Sequence, residues 1–575
     1  MGISYQVSGR NPAALFTLKL HRGDGMLLLA MNWKRKAPPV DMVGFAIEYK
    51  EPGGDKFYAL KNRLSFTATS GAVNANTLST RLSPIQKFRW VHFPRNAEMA
   101  GEFVYRVTPV FMNAADELSY GDFQEAAIAL RRETYPGQLN VTFTRGFVSS
   151  QVFVDRYVTA SHGMAELLPV AKEDGLDFAP THPKAAEALA WMGFEARSAI
   201  LEVLDQAIAD LKAQVHVVAY ELSERDVLQR LQLLGPRLRI IIDNSADHGK
   251  PHSAESEAAA RLATSAGAQN VKRQHMGSLQ HNKTIVVDGP KGQWVVCGST
   301  NFSWRGLYVQ ANNALVLRGK KALKPFATAF EAYWQNDNVA GFAATPAASW
   351  TALGISGINA QVAFSPHNKS NALLQLVADD VATQTTSCVF YSLAFLGQTK
   401  GAIRDAIKKV TESDTIFVYG IADKKIGGLD LQKPNGNIAP VFPAALGKNL
   451  PEPFKSEPTG LSGQVGTRMH HKFVVIDFDK PSARVYLGSY NFSDPADTKN
   501  GENLLLIRDR RIAVSYMIEA LRLFDHYHFR VAQNEASSQR KRLVLARPPR
   551  KLDDKPWWDD DYTDLRKARD RLLFA

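Results

Sequence analysis

Cysteine is almost missing: the 575 residues include two, Cys297 and Cys388. That excludes a disulfide framework and makes a reducing, cytoplasmic setting the expectation. Long apolar runs are missing too. No stretch reaches the roughly 18 residues that a spanning helix needs. The opening "MGISYQVSGRNPAALFTLKL" lacks the charged start and apolar block of a secretory leader. Gly2 follows Met1, but position 6 is Gln6 rather than Ser or Thr, so the myristoylation pattern fails.

What is present is ordinary for a globular protein, with 45% hydrophobic and 22% charged residues. The length suggests roughly three to four domains. Basic residues outnumber acidic ones, for a formal net charge of +12 and a pI near 9.4. Such a field gathers polyanions and speeds their capture. Nucleic acid is the expected partner, and an anionic lipid surface the alternative.

Residues 1–135 alternate apolar and polar in short runs such as "VGFAIEYKE" and "EFVYRVTPVFM", separated by turn signals such as "EPGGDK". This period of two predicts an antiparallel β-sandwich with Trp33, Trp90 and Tyr105 in its core. The region loosely resembles a fibronectin- or immunoglobulin-like module, and it could serve as a site for a protein partner. From about 140 the pattern changes. "ALAWMGFEARSAILEVLDQAIADLKA" has helical spacing, "QVHVVAY" and "RLRIIID" read as buried strands, and helices alternate with them. Such alternation predicts an α/β fold with mixed, largely parallel sheets. The order then repeats, with a join near 340–358, giving expected lobes at 136–350 and 351–535. The remaining 536–575, with Trp557 and Trp558 among acids, reads as a tail that docks on the body.

Two short stretches carry the chemistry. "LQHNKTIVVDG" places His281, Lys283 and Asp288 in the pattern H-x-K-x4-D, and "RMHHKFVVIDFDK" repeats it with His470, Lys472 and Asp477. With 14 histidines in the chain, chance gives about 0.05 matches, and a pair about once in a thousand such chains. Each copy continues alike. The first runs into "GSTNFS", with Gly298, Ser299 and Asn301, and the second into "GSYNFS", with Gly488, Ser489 and Asn491. Thirteen residues after each serine stand Asn312 and Glu502 respectively.

Residues i and i+2 of a strand share a face, so each histidine sits beside its lysine. If the copies pack about a pseudo-twofold axis, both pairs meet in one pocket. No Cys or Glu cluster with metal spacing accompanies them, so no metal or other cofactor is expected. A cationic pocket rich in donors suits a phosphodiester. One histidine can attack phosphorus while the other protonates the leaving oxygen. Lys283 and Lys472 would neutralise the equatorial oxygens. Ser299, Asn301, Ser489 and Asn491 would hydrogen-bond to them. Asp288 and Asp477 are read as anchors of the motif loops. His471 is expected to be structural, His275 a loop residue, Tyr220 and Tyr391 core residues at the end of matching strands, and Cys297 a small hydrophobe.

The duplicated motif resembles the signature of the phospholipase D superfamily, over roughly residues 140–530. That resemblance implies two α/β lobes sharing one site, metal independence and a phosphohistidine intermediate. It further implies His281 as nucleophile, His470 as general acid, Glu502 orienting His281, and Asn312 facing His470. The compact GSxNFS segments look more like bacterial nuclease-type members than lipid-cleaving ones. The expected activity is therefore hydrolysis of DNA or RNA. The alternatives are a phospholipase D acting on lipid headgroups and an adaptor subunit of a larger assembly.

Overall fold

The structure is a computed structural model. It describes residues 4–575 apart from 67–77, 131–132, 147–152, 154–155, 160, 170–172, 395, 397–400, 414, 424–428, 433–437, 442–468, 539–542 and 552. Two compact units result. One comprises 1–132, 432–439 and 514–575; the other comprises 133–431 and 440–513.

The first unit holds two antiparallel sheets. Gln6–Ser8, Phe16–Arg22, Leu27–Trp33 and Arg89–His92 form one. Met42–Lys50 and Phe103–Met112 centre the other, flanked by Tyr58–Ala59, Leu118–Tyr120 and Gln124–Ile128. Alternation along each strand turns one face inward, so Phe16, Leu18 and Leu29 meet Phe45, Ile47, Phe103 and Tyr105 in one core. Trp33 lies in that core and Trp90 packs against it. The C-terminal residues complete the same core. Trp558 is buried there, and Trp557 donates from Nε1 to the Met42 carbonyl at 2.9 Å. Residues 514–575 thus group with the N-terminal sheets, whereas the sequence reading draws its last boundary at 535.

The second unit contains the duplication. Its first sheet runs Leu139–Phe143, Asn313–Arg318, Gly292–Gly298, Lys283–Gly289, Gln214–Ala219, Leu238–Asp243, Val271–Gln274. A second sheet repeats the order with Asn359–Ser365, Glu502–Arg508, Arg484–Gly488, Lys472–Ile476, Cys388–Leu393, Phe417–Asp423. Helices such as Ala185–Ala209, Arg225–Leu234 and Ala254–Ala266 supply the apolar faces that cover the first sheet.

The sheets are mixed, but they are not largely parallel. In the first, only Gln214–Ala219 with Leu238–Asp243 and Leu238–Asp243 with Val271–Gln274 pair parallel, and the other four pairings are antiparallel. The reason is connection length. A parallel pair needs a crossover of a dozen or more residues, which the helices provide only there. The motif strand Lys283–Gly289 turns straight back through Pro290 and Lys291 into Gly292–Gly298.

The halves meet reciprocally. Gln280 bridges to Gly501, and Ala311 to Met469 at the equivalent position of the other copy. His470 N donates to the Ala311 carbonyl at 3.0 Å, and Gly501 N to that of Leu279 at 2.8 Å. This exchange is the signature of a pseudo-twofold relation, and it carries each motif histidine to the seam.

Candidate active site

Each histidine stands two residues ahead of its lysine, which opens a motif strand. Each is held by the other half of the duplication. His281 Nδ1 donates to Glu502 Oε2 at 2.8 Å, and His470 Nδ1 lies 2.9 Å from Asn312 Oδ1. Glu502 opens strand Glu502–Arg508, and Asn312 immediately precedes Asn313–Arg318. All four side chains are buried.

The serines take a different place from the one expected. Ser489 Oγ donates to Glu502 Oε2 at 2.7 Å, and Ser299 Oγ to Asn312 Oδ1 at 2.9 Å. Both are fully buried. They hold the groups that hold the histidines, because each motif strand's neighbour delivers its serine beneath the residue thirteen positions on. Gly298 and Gly488 make that approach feasible. Their φ values are 134° and 143°, and a Cβ would lie 2.5 Å from the Asn313 carbonyl oxygen and 2.2 Å from that of Asn503. Asn301 and Asn491 follow on the same segments. Among the described residues, neither Oδ1 has a hydrogen-bond partner, although both atoms are buried.

The lysines fold back on their own motifs. Lys472 Nζ donates to the His470 carbonyl at 2.8 Å, Lys283 Nζ to that of His281, and Lys283 Nζ also lies 4.7 Å from the Tyr220 ring centre. The motif aspartates part company. Asp477 is buried at a φ of 53° and receives Thr386 Oγ1 at 2.8 Å and the Ser387 and Cys388 amides at 2.8 and 3.2 Å. It anchors its loop as expected. Asp288 does not. It is exposed inside strand Lys283–Gly289 with one long contact, 3.4 Å from Gln293 Nε2, because that strand continues a residue beyond it.

Burial sets the proton affinities. His281 is pushed down to about 4, chiefly by desolvation; Glu502 opposes this, and Lys283 and Lys472 add to it. His470 is held well below its ordinary value by desolvation, then by Lys472, Lys283, His281 and Arg305. Lys283 falls to about 7 through desolvation, against the pull of Glu502, Glu221 and Asp243. Each motif pair thus feels the other's charges, so the two copies share one electrostatic site.

The tautomers follow from the partners. Asn312 Nδ2 donates to the Gly306 carbonyl at 2.9 Å, which leaves its Oδ1 to accept. His470 Nδ1 must therefore carry the proton, as must His281 Nδ1 facing a carboxylate. Both neutral rings then present a lone pair on Nε2.

The residue after each histidine also crosses the seam. Asn503 Nδ2 donates to Asn282 Oδ1 at 2.9 Å, and Asn313 Nδ2 approaches His471 Nδ1 at 3.5 Å. The equivalent spacing of Asn313 and Asn503 in the two copies was the available signal for this pairing. His471 is structural, packed against Phe143 and Phe473. His275 is exposed and bonds Asn244 at 2.8 Å. Tyr391 is a core residue, and Cys297 is a buried thiol pushed up by desolvation. Tyr220, by contrast, packs against His281 with ring centres 4.5 Å apart. Among the described residues, no group of three or more His, Cys, Asp and Glu is arranged to hold a metal ion, and no helix is long and apolar enough to cross a membrane.

The sequence matches the model of a family described as cardiolipin synthase, PLD-like domain, over residues 204–334 and 385–523. Each matched segment holds one complete motif copy. The chain belongs to the phospholipase D superfamily. A phospholipase D of Rickettsia prowazekii is 46% identical over 48 residues, which are 8% of this chain and 22% of that protein. This phospholipase D superfamily member therefore spans only about a fifth of the curated relative it matches. Among solved structures, the phosphatidylserine synthase of Haemophilus influenzae Rd KW20 is 13% identical with a TM-score of 0.38, covering 66% of this chain and 92% of that one. Nuc of Salmonella typhimurium, a phospholipase D family member, is 25% identical with a TM-score of 0.20, covering 24% and 87%.

Proposed function

We propose that the protein is a phosphodiesterase that works through a phosphohistidine intermediate and that its substrate is nucleic acid. The observation that carries the reaction class is the reciprocal tether: each imidazole is fixed at Nδ1 by the opposite copy, which leaves Nε2 for chemistry.

His281 is the nucleophile, since its partner is a carboxylate that stabilises the positive charge growing on the ring during attack. The Nε2 lone pair forms a bond to phosphorus, the bond from phosphorus to the leaving oxygen breaks, and His470 Nε2–H gives that oxygen its proton. His470 then takes a proton from water. The resulting hydroxide forms a new P–O bond and the P–N bond breaks, restoring both rings. His470 has little affinity for a proton, first because it is buried and then because Lys472, Lys283, His281 and Arg305 surround it. A bound phosphodiester supplies the missing negative charge, so substrate binding loads the general acid. Lys283 and Lys472 neutralise the non-bridging oxygens. Asn301 and Asn491 supply amide hydrogen bonds to them, while Ser299 and Ser489 act indirectly through Asn312 and Glu502.

Nucleic acid is favoured as substrate by the net charge of +12. The family description and the Rickettsia relative favour a second reading, cleavage or transfer of lipid headgroups. Incubation in EDTA with plasmid, single-stranded DNA, RNA and phosphatidylcholine vesicles separates them. Loss of nucleic acid without lipid turnover is expected. Choline release in its place would select the second reading, and no turnover of any substrate would leave an adaptor role.

A further inference from the structure

His281 is bound at one atom by Glu502, and a single hydrogen bond leaves a ring free to swing about it. The first copy holds a second set of contacts that removes this freedom. Strand Leu238–Asp243 ends on Asp243, which is fully buried. Its Oδ1 accepts the Gln280 amide at 2.7 Å, and Gln280 is the residue before His281. Its Oδ2 accepts His248 Nδ1 at 2.8 Å and the Ser245 amide at 3.0 Å. The His248 ring packs edge-on to Tyr220, with centres 4.7 Å apart and planes at 61°. Tyr220 packs edge-on to His281 in turn, at 4.5 Å and 66°.

The contacts close a circuit. One carboxylate fixes the backbone beside His281 and, through His248 and Tyr220, the ring itself. A buried aspartate that merely satisfied a turn would need only the Ser245 contacts. Here both oxygens are used, and both paths end on the same histidine. We infer that Asp243, His248 and Tyr220 are positioning residues that hold the His281 ring in its attacking orientation. The inference deepens the proposed reaction and rests on His281 being its nucleophile.

Misplacing a reacting group by about 1 Å can cost about 10²-fold in rate. With bis(p-nitrophenyl) phosphate, Tyr220→Leu should lower kcat by about 10- to 100-fold, with KM changed by less than about threefold. Tyr220→Phe keeps both ring contacts and should recover most of kcat. His248→Gln should lower kcat as well, and Tyr220→Leu with His248→Gln should be no worse than Tyr220→Leu alone, because the two act in series. The second readout needs no turnover. In protein labelled with ¹⁵N-histidine, the His281 Nδ1–H signal, assigned by its loss in His281→Ala, should stay sharp in Tyr220→Phe and broaden in Tyr220→Leu. Unchanged kcat and an unchanged signal in Tyr220→Leu would overturn the positioning role, as would a Tyr220→Phe loss equal to that of Tyr220→Leu. A wild-type protein that cleaves no phosphodiester would sink the proposed function instead, and the histidine signal would still decide the positioning role.

Discussion

Glu502 and Asn312 occupy equivalent places in the two copies and differ by one charge, and that difference sorts the histidines. Glu502→Gln keeps an acceptor for His281 Nδ1 but removes the charge that stabilises the ring once it is bonded to phosphorus. Its kcat should fall by about 10³-fold, with little change in KM, in steady-state assays on a p-nitrophenyl diester. A second residue-scale consequence concerns pH. His281 is neutral above about 4, so its lone pair is available across the neutral range. Lys283 is cationic only below about 7, and His470 accepts a proton only well below its ordinary value. The groups that must be charged therefore lose their protons as pH rises, and kcat/KM, which reports the free enzyme, should decline from mildly acidic towards alkaline pH. Bound phosphate raises both affinities, so the fall in kcat should lie at higher pH. Lys283→Arg, whose guanidinium does not titrate in this range, should remove its share of the alkaline fall. A kcat/KM that rises through pH 7 would contradict the assignment. At this scale the pairing of each histidine with its lysine was legible, because spacing within one short motif places them two residues apart, whereas the meeting of Glu502 with His281 was legible only through the family resemblance. The serines were not. Their hydroxyls are claimed by residues thirteen positions on, and only the folded geometry decides between that partner and a substrate oxygen.

At the scale of elements, the strand that follows each motif strand must come within van der Waals contact of the strand that begins just after Asn312 or at Glu502. Gly488 allows this at a φ of 143°, with the Asn503 carbonyl where a Cβ would sit. Gly488→Ala should cost about 1–3 kcal/mol in backbone strain, read as a lowered midpoint in thermal or urea unfolding. It should also weaken activity by displacing Ser489 from Glu502. The helices, strands and their repeat could be read from apolar periodicity. The antiparallel majority could not, because the turn at Pro290 and Lys291 is too short to stand out, yet it dictates the direction of the strand that follows. Asp288 shows the same limit. Its motif position matches that of Asp477, but its strand continues past it, which leaves the side chain in solvent rather than over a loop.

For the whole molecule, the internal duplication was the most legible feature, since two motif copies at one spacing demand two similar folding units. Reciprocal contacts across their seam then make one site out of two incomplete ones: the Nδ1 hydrogen bond of each histidine comes from the other copy. The grouping of residues 514–575 with the N-terminal sheets was less legible. Trp557 and Trp558 among acidic residues read as a tail that docks on the body, but only the folded sandwich shows which core receives them. The central claim is that His281 takes the phosphoryl group. It is tested most directly by rapid acid-free quenching of the protein with bis(p-nitrophenyl) phosphate in EDTA, followed by peptide mass mapping. The expected result is a nitrophenyl-phosphate adduct on the peptide containing His281, present in the wild type and lost in His281→Ala. An adduct on His470, or diester cleavage at the wild-type rate by His281→Ala, would contradict it.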